Sequence, residues 1–312
     1  MNETVLNQDD FISVKSCPYC KSNNYLKINS LPVNKYLFAN KLLKIDFDIE
    51  INKCENCNLF FKSKIPKREL LVNLSNNLQE DNWNYEDYNY NDIRKIIIDQ
   101  KHTNNLSVLD IGCFYGDFLR NTKDLFYYRS GLDFLKISIN KDILNGEYIN
   151  SFVEDLDKVN IIKEYDVITM FDVFEHLYDV NKALENLKKR LKKDGLLIIE
   201  TGNALCKSSK EIGIQNWWYI NLIVHHICVD SASIKRILES MGFLIIKVIE
   251  KRHKNKLKYS SQKKIKELVK YYILKVITPK YYFLILQKLK KIGFPPQNPA
   301  ELDHILVIAK KI

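Results

Sequence analysis

VLDIGCFYGDFL, residues 108–119, is an apolar run that ends in an acid and then meets two glycines. Its first residues read as a buried strand ending at Asp110. Gly112 follows at once and permits close approach of backbone to a ligand; Gly116 permits a left-handed turn and opens a helix. Asp133 closes the next strand, 21 residues beyond Gly112. That is where a carboxylate accepts hydrogen bonds from ribose hydroxyls in nucleoside-binding α/β folds.

Outward from this loop the chain alternates short apolar runs with helical stretches, the pattern of a parallel sheet with crossover helices. LSVLDI (106–111), YYRSGLD (127–133), EYINSF (147–152), YDVITMF (165–171) and GLLIIET (195–201) read as strands. FLIIKVIE follows the helix SASIKRILESM, and DHILVIAKK (303–311) closes the chain. In VNKALENLKKRLKK, the residues Val180, Ala183, Leu184, Leu187 and Leu191 repeat at helical spacing, with Asp194-Gly195 as the stop. The expected fold is α/β: a doubly wound, mostly parallel, Rossmann-like sheet of seven strands, with a helical insertion before the last strand.

The loop is not G-x-G-x-x-G. A dinucleotide brings a pyrophosphate, which needs glycines and a bare helix N-terminus. S-adenosylmethionine has no phosphate but carries an ammonium group, which a strand-end acid such as Asp110 can attract. An ordinary strand-to-helix turn would also fit D-x-G-x-x-x-G taken alone. The later segments GLD (131–133), YDVITMFDVFEHLYD (165–179) and LKKDGLLIIETGN (191–203) make the series, in order and spacing, resemble the class I S-adenosylmethionine-dependent methyltransferases. With CPYC and CENCNLFF before it and HHICVDSASIKRILESMGF after it, the chain looks like the bacterial members that methylate sugars of surface polysaccharides and deoxysugar pathways. One departure is Phe114, where such loops usually carry a third glycine; the other loop residues are present, so the expectation is a narrowed methionine end and not a lost site.

The resemblance implies site residues. Asp110, Gly112, Cys113, Phe114, Gly116 and Asp133 would bind the cofactor, Glu154 or Asp155 would lie near adenine, and Asp172 would be the polar group closest to the sulfonium. A histidine near the acceptor falls on His226, named as general base with its neighbour His225. His176, beside Glu175, either shapes the acceptor pocket or packs at a helix start. Trp217, Trp218 and Tyr219 either stack on a sugar or form the core of a lid. The implied acceptor is a sugar hydroxyl or carbon, on a nucleotide sugar or a glycan.

Cys17-x-x-Cys20 and Cys54-x-x-Cys57 stand 33 residues apart. Two such knuckles supply four thiolates in a closed tetrahedral set, the pattern of structural Zn²⁺. The expected organisation is a zinc module over 11–70, a polar aromatic connector or lid over 71–92, and the methyltransferase domain over 93–312.

The net charge of +10 is uneven: residues 251–292 hold 14 Lys or Arg against one acid, Glu267. A uniformly basic nucleic-acid surface is therefore excluded. The basic insertion 251–292 reads as a peripheral contact with an anionic membrane face, as a nucleic-acid contact, or as a solvated helical hairpin broken at Pro279. An acidic polar start and no apolar run of ~18 residues predict a cytoplasmic protein. Two further readings compete with sugar methylation: RNA methylation with the zinc module as reader, disfavoured because the knuckles lack flanking basic clusters, and a non-catalytic scaffold on a degenerate fold. Oligomeric state is not legible.

Overall fold

A computed structural model describes residues 3–32, 35–38, 41–75, 90–103, 105–160, 163–253, 260–276, 282 and 297–312. Most of the connector 71–92 and the Pro279 break lie outside them. The chain forms two compact units: Met1–Leu74 with Thr201–Ile234 and Ile249–Ile305, and Ser75–Glu200 with Lys235–Val248 and Leu306–Ile312. The cysteine-bearing segment therefore shares its unit with two later pieces of chain.

Seven strands build the main sheet: β1 (Leu106–Ile111), β2 (Phe126–Asp133), β3 (Tyr148–Asn150), β4 (Tyr165–Phe171), β5 (Leu191–Gly202), β6 (Phe243–Lys251) and β7 (His304–Lys311). Their order is β3-β2-β1-β4-β5-β7-β6. The pairings β3–β2, β2–β1, β1–β4 and β4–β5 are all parallel. Every residue of β1 is buried, as its unbroken apolar run demands of a strand covered on both faces. The order reverses between β1 and β4, and in such sheets ligands sit outside the carboxyl ends of the strands at that point.

The helix Val180–Arg190 starts where the Asp179 side chain accepts the Lys182 N–H at 3.0 Å. Val180, Ala183, Leu184 and Leu187 are its buried stripe. It ends four residues before the Asp194-Gly195 stop. Leu191 is fully buried beside Tyr165 as the first residue of β5, and the chain then bulges through exposed Asp194 at φ +61° before Leu196 pairs with Val167. The next helix, Ser231–Ser240, is capped reciprocally: Asp230 Oδ1 accepts the Ser233 N–H, and Ser233 Oγ accepts the Asp230 N–H, both at 2.9 Å.

In the first unit a four-stranded antiparallel sheet runs in the order Ile227–Cys228, Phe60–Lys62, Glu50–Cys54, Tyr25–Ser30. Its first strand follows His225-His226 directly. Among the described residues, no helix is long and apolar enough to cross a membrane.

Candidate functional site

The loop after β1 is shaped by glycine. Gly112 adopts φ +68°, and a Cβ there would lie 2.3 Å from Val173 Cγ2. Gly116 adopts φ +79°, and its Cβ would meet Ile143 at 2.8 Å. Neither tolerates a side chain without movement of its neighbour. Phe114 adopts φ +42°, the left-handed region a glycine takes easily. The Asp133 carboxylate holds it there, accepting the Phe114 N–H at 3.0 Å and the Leu135 N–H at 2.9 Å. The departure at Phe114 therefore leaves the backbone of the loop in the glycine-like conformation.

Asp110 and Thr169 are register partners on β1 and β4, and the threonine hydroxyl donates to the carboxylate at 2.6 Å. Burial pushes the Asp110 carboxyl up to about 7, against the pull of Thr169. Burial also raises Asp133, opposed by its backbone donors and by nearby His176. His176 thus lies within electrostatic reach of the cofactor loop, in the short 3₁₀ turn Phe174–His176, with Nε2 3.9 Å from Glu175 Oε1. Cys113 is buried between the loop glycines.

Asp172 sits just past β4 at φ +53°, its N–H bonded to the Glu200 carbonyl at 2.9 Å. Strain of this kind gathers at ligand sites. Of the two acids named for adenine, Glu154 is buried and accepts the Tyr178 N–H at 2.7 Å, so it braces that turn. Asp155 pairs with Lys158 at 2.7 Å.

The four cysteines converge, their sulfurs within 4.8 Å of one another. Cys17–Cys57 and Cys20–Cys54 stand at 3.5 and 3.4 Å, close to the ~3.8 Å expected between sulfurs that each lie ~2.3 Å from one tetrahedral Zn²⁺. The two knuckles are built alike. Lys21 donates to the Cys17 carbonyl and Asn58 to the Cys54 carbonyl, and both residues take a left-handed φ, +58° and +62°. Four thiols so close cannot all ionise without a cation. The hydrogen bond from Cys57 drives Cys17 down to about 5 while Cys57 itself is driven up, and burial pushes Cys20 up to about 11.

In the first unit, His225 and His226 are buried, and the His225 ring packs on Tyr219 with centroids 4.1 Å apart. Trp217 and Tyr219 are buried and stacked on each other, so these two serve the core of their unit; Trp218 is half-buried. Two features were not foreseen in the sequence. Lys62, on the strand bonded to the His226 carbonyl, is fully buried. Its ammonium donates to the Leu222 carbonyl at 2.6 Å, and burial drives it down to about 7. Asp303 and His304 are also fully buried, with 3.4 Å between Oδ1 and Nδ1, and the same Oδ1 accepts the His253 N–H at 2.8 Å. The His253 and His304 rings lie 4.5 Å apart. The sequence signals were a lysine within LFFK and a DH pair opening the last strand.

A family described as "Methyltransferase domain" matches residues 79–248, more than half of the chain. The chain belongs to the methyltransferase domain family. The matched span holds every residue named for the cofactor, together with His176, His225 and His226. It leaves out the four cysteines, Lys62, His253, Asp303 and His304.

Among curated relatives, the ubiquinone biosynthesis O-methyltransferase of Rickettsia bellii (strain OSU 85-389) is 29% identical over 123 residues, covering 37% of this chain and 50% of that protein. The malonyl-[acyl-carrier protein] O-methyltransferase of Bacillus anthracis is 27% identical over 110 residues, covering 33% and 41%. The chain thus spans about half the length, or less, of these two relatives. Among solved structures, the [4+2]-cyclase SpnF aligns with a TM-score of 0.47 at 12% identity, covering 73% of this chain and 85% of that one.

Proposed function

We propose that the chain moves the methyl group of S-adenosylmethionine to a hydroxyl of a sugar, either nucleotide-linked or within a glycan. The observation that carries the donor is the glycine-shaped loop under Asp110 and Asp133. A buried carboxyl with one neutral partner suits the ammonium of a methionine moiety, and Asp133 suits the ribose hydroxyls. A pyrophosphate suits the loop poorly, because the helix it opens, Asp117–Asn121, begins with an acid. Asp155 is assigned to the adenine side and Asp172 to the sulfonium side.

The reaction is an in-line displacement: the acceptor oxygen bonds to the methyl carbon as the carbon–sulfur bond breaks, leaving S-adenosylhomocysteine. The protein's task is alignment, plus removal of the hydroxyl proton. His226 is assigned as the base, with His225 and His176 as the other candidates. Oxygen is favoured over carbon by the O-methyltransferase names of the curated relatives. The sugar class rests on the resemblance of the cysteine knuckles and the HHICVDS segment. The glycine-like backbone at Phe114 speaks against a degenerate scaffold. Cys17, Cys20, Cys54 and Cys57 are proposed to hold one structural Zn²⁺; four thiolates leave no open position for chemistry.

Calorimetry with S-adenosylmethionine and S-adenosylhomocysteine tests the donor, on protein shown to carry one zinc per chain. Micromolar binding is expected, weakened about ten- to a hundredfold in Asp133→Ala, the scale of one hydrogen bond to a charged group. No binding by the folded, zinc-bearing protein would overturn the reading. Binding without methylation of any member of a nucleotide-sugar panel would overturn the acceptor class alone.

A further inference from the structure

The helix Ser261–Val276 carries an aliphatic stripe on its exposed side. Ile265, Val269, Tyr272, Ile273 and Val276 are 63%, 54%, 50%, 51% and 84% exposed. At 3.6 residues per turn these five fall within roughly 100° of the circumference, one continuous stripe. Tyr271 lies on the far side, fully buried, its hydroxyl donating to the Glu211 carboxylate. The face turned inward is therefore anchored by a polar contact, while the aliphatic face is turned out. Scattered apolar residues need no explanation on a protein surface, but an ordered stripe marks a contact.

Charge says what covers it. Exposed Lys263, Lys266 and Lys270 run along one edge of the stripe. Glu267 is the only acid on the helix, and Lys270 already holds it at 2.7 Å. The helix thus has no acidic edge to receive a second copy's lysines. We infer that this helix lies in the interface of an anionic phospholipid bilayer, the stripe entering the acyl boundary and the lysine edge meeting the headgroups. Helices of this composition bind in the interface plane without spanning. The inference does not depend on what the chain methylates.

Sedimentation of the full chain with vesicles tests it. Binding is expected to phosphatidylcholine vesicles containing phosphatidylglycerol, to weaken as salt rises, and to be absent with phosphatidylcholine alone. Val269→Asp with Ile273→Asp should lower the partition at least tenfold. Lys263→Gln with Lys266→Gln should lower it about 25-fold, about fivefold for each lysine. All four sites are exposed, so the melting temperature should hold and report intact folding. Failure to bind anionic vesicles at low salt would overturn the inference, as would binding indifferent to Val269→Asp with Ile273→Asp. A dimer in sedimentation equilibrium that those two substitutions dissociate would also overturn it, because a second copy would then own the stripe.

Discussion

Asp110 and Lys62 are the same physical problem with opposite sign. Each is buried, each ion has one neutral hydrogen-bond partner at 2.6 Å, and burial brings each to about 7 from opposite directions. They lie in different compact units. Asp110 ends a strand and is followed at once by a glycine loop, so its surroundings come from consecutive residues and one neighbouring strand. The partner of Lys62 is 160 residues away in sequence. A buried charge without a counter-ion is costly in either place. The difference is that a local motif announces one and nothing local announces the other.

Removing the lysine is the strongest way to break the parallel. Lys62 titrates near 7 when folded and near its ordinary 10.5 when unfolded. Between those values the unfolded chain holds more protons, so this group makes stability rise with pH, by up to about 1.4 kcal/mol per unit. Lys62→Met should abolish that rise and stabilise the protein at pH 6 by about 1–4 kcal/mol, since methionine fills the space without a buried charge. Urea denaturation at pH 6, 7.5 and 9 measures both. Equal slopes in variant and wild type would mean that Lys62 keeps its proton in the folded protein as readily as in the unfolded chain.

That contrast also explains what could be read in advance. The strands 106–111 and 165–171 were legible to the residue, because unbroken apolar runs between turn signals admit little else. The loop that gathers Asp110, Gly112, Gly116 and Asp133 was legible because a βα turn packs its distinctive residues into one short segment. The convergence of the four cysteines was legible because paired C-x-x-C knuckles repeat one local turn, as Lys21 and Asn58 show. Lys62, Asp303 and His304 were not, because only tertiary packing brings 62 to 222 and 253 to 303. Arg190 as the end of its helix was also missed. The burial of Leu191 beside Tyr165 outweighed the Asp194-Gly195 stop that local propensity favours.

Thr169→Val probes the other half of the comparison, with a smaller effect and the reverse pH sign. The folded-state value of Asp110, about 7, lies above its ordinary 3.8, so the folded protein holds more protons between them. The group's contribution is fully present below about pH 4 and is lost as pH rises to 7. Above 7 the carboxylate depends on the Thr169 hydroxyl. The valine variant should cost about 1.5–3 kcal/mol at pH 8.5, the scale of a hydrogen bond to a charged group, and clearly less at pH 5.5. A loss that is the same at both pH values would show that Thr169 acts through packing alone.

The mildest test asks whether a ligand supplies the charge that Asp110 lacks. At pH 6.5 a carboxyl titrating near 7 is about three-quarters protonated, while an α-amino group near 7.7–8.0 is nearly all cationic. If the ammonium of S-adenosylmethionine settles beside Asp110, its field lowers the carboxyl and drives the proton out. Calorimetry at pH 6.5 in two buffers of different ionisation enthalpy should then report about 0.7 proton released per cofactor bound. By pH 8.5 the release should turn into uptake of about 0.8 proton, because the carboxyl is already ionised in the free protein and the α-amino group of the free cofactor is mostly neutral. S-adenosylhomocysteine should release the same amount, because it keeps the ammonium and lacks only the methyl group. Binding with no proton release at pH 6.5 would mean that Asp110 and the ammonium do not meet, and the likeness between the two buried charges would end with the fold.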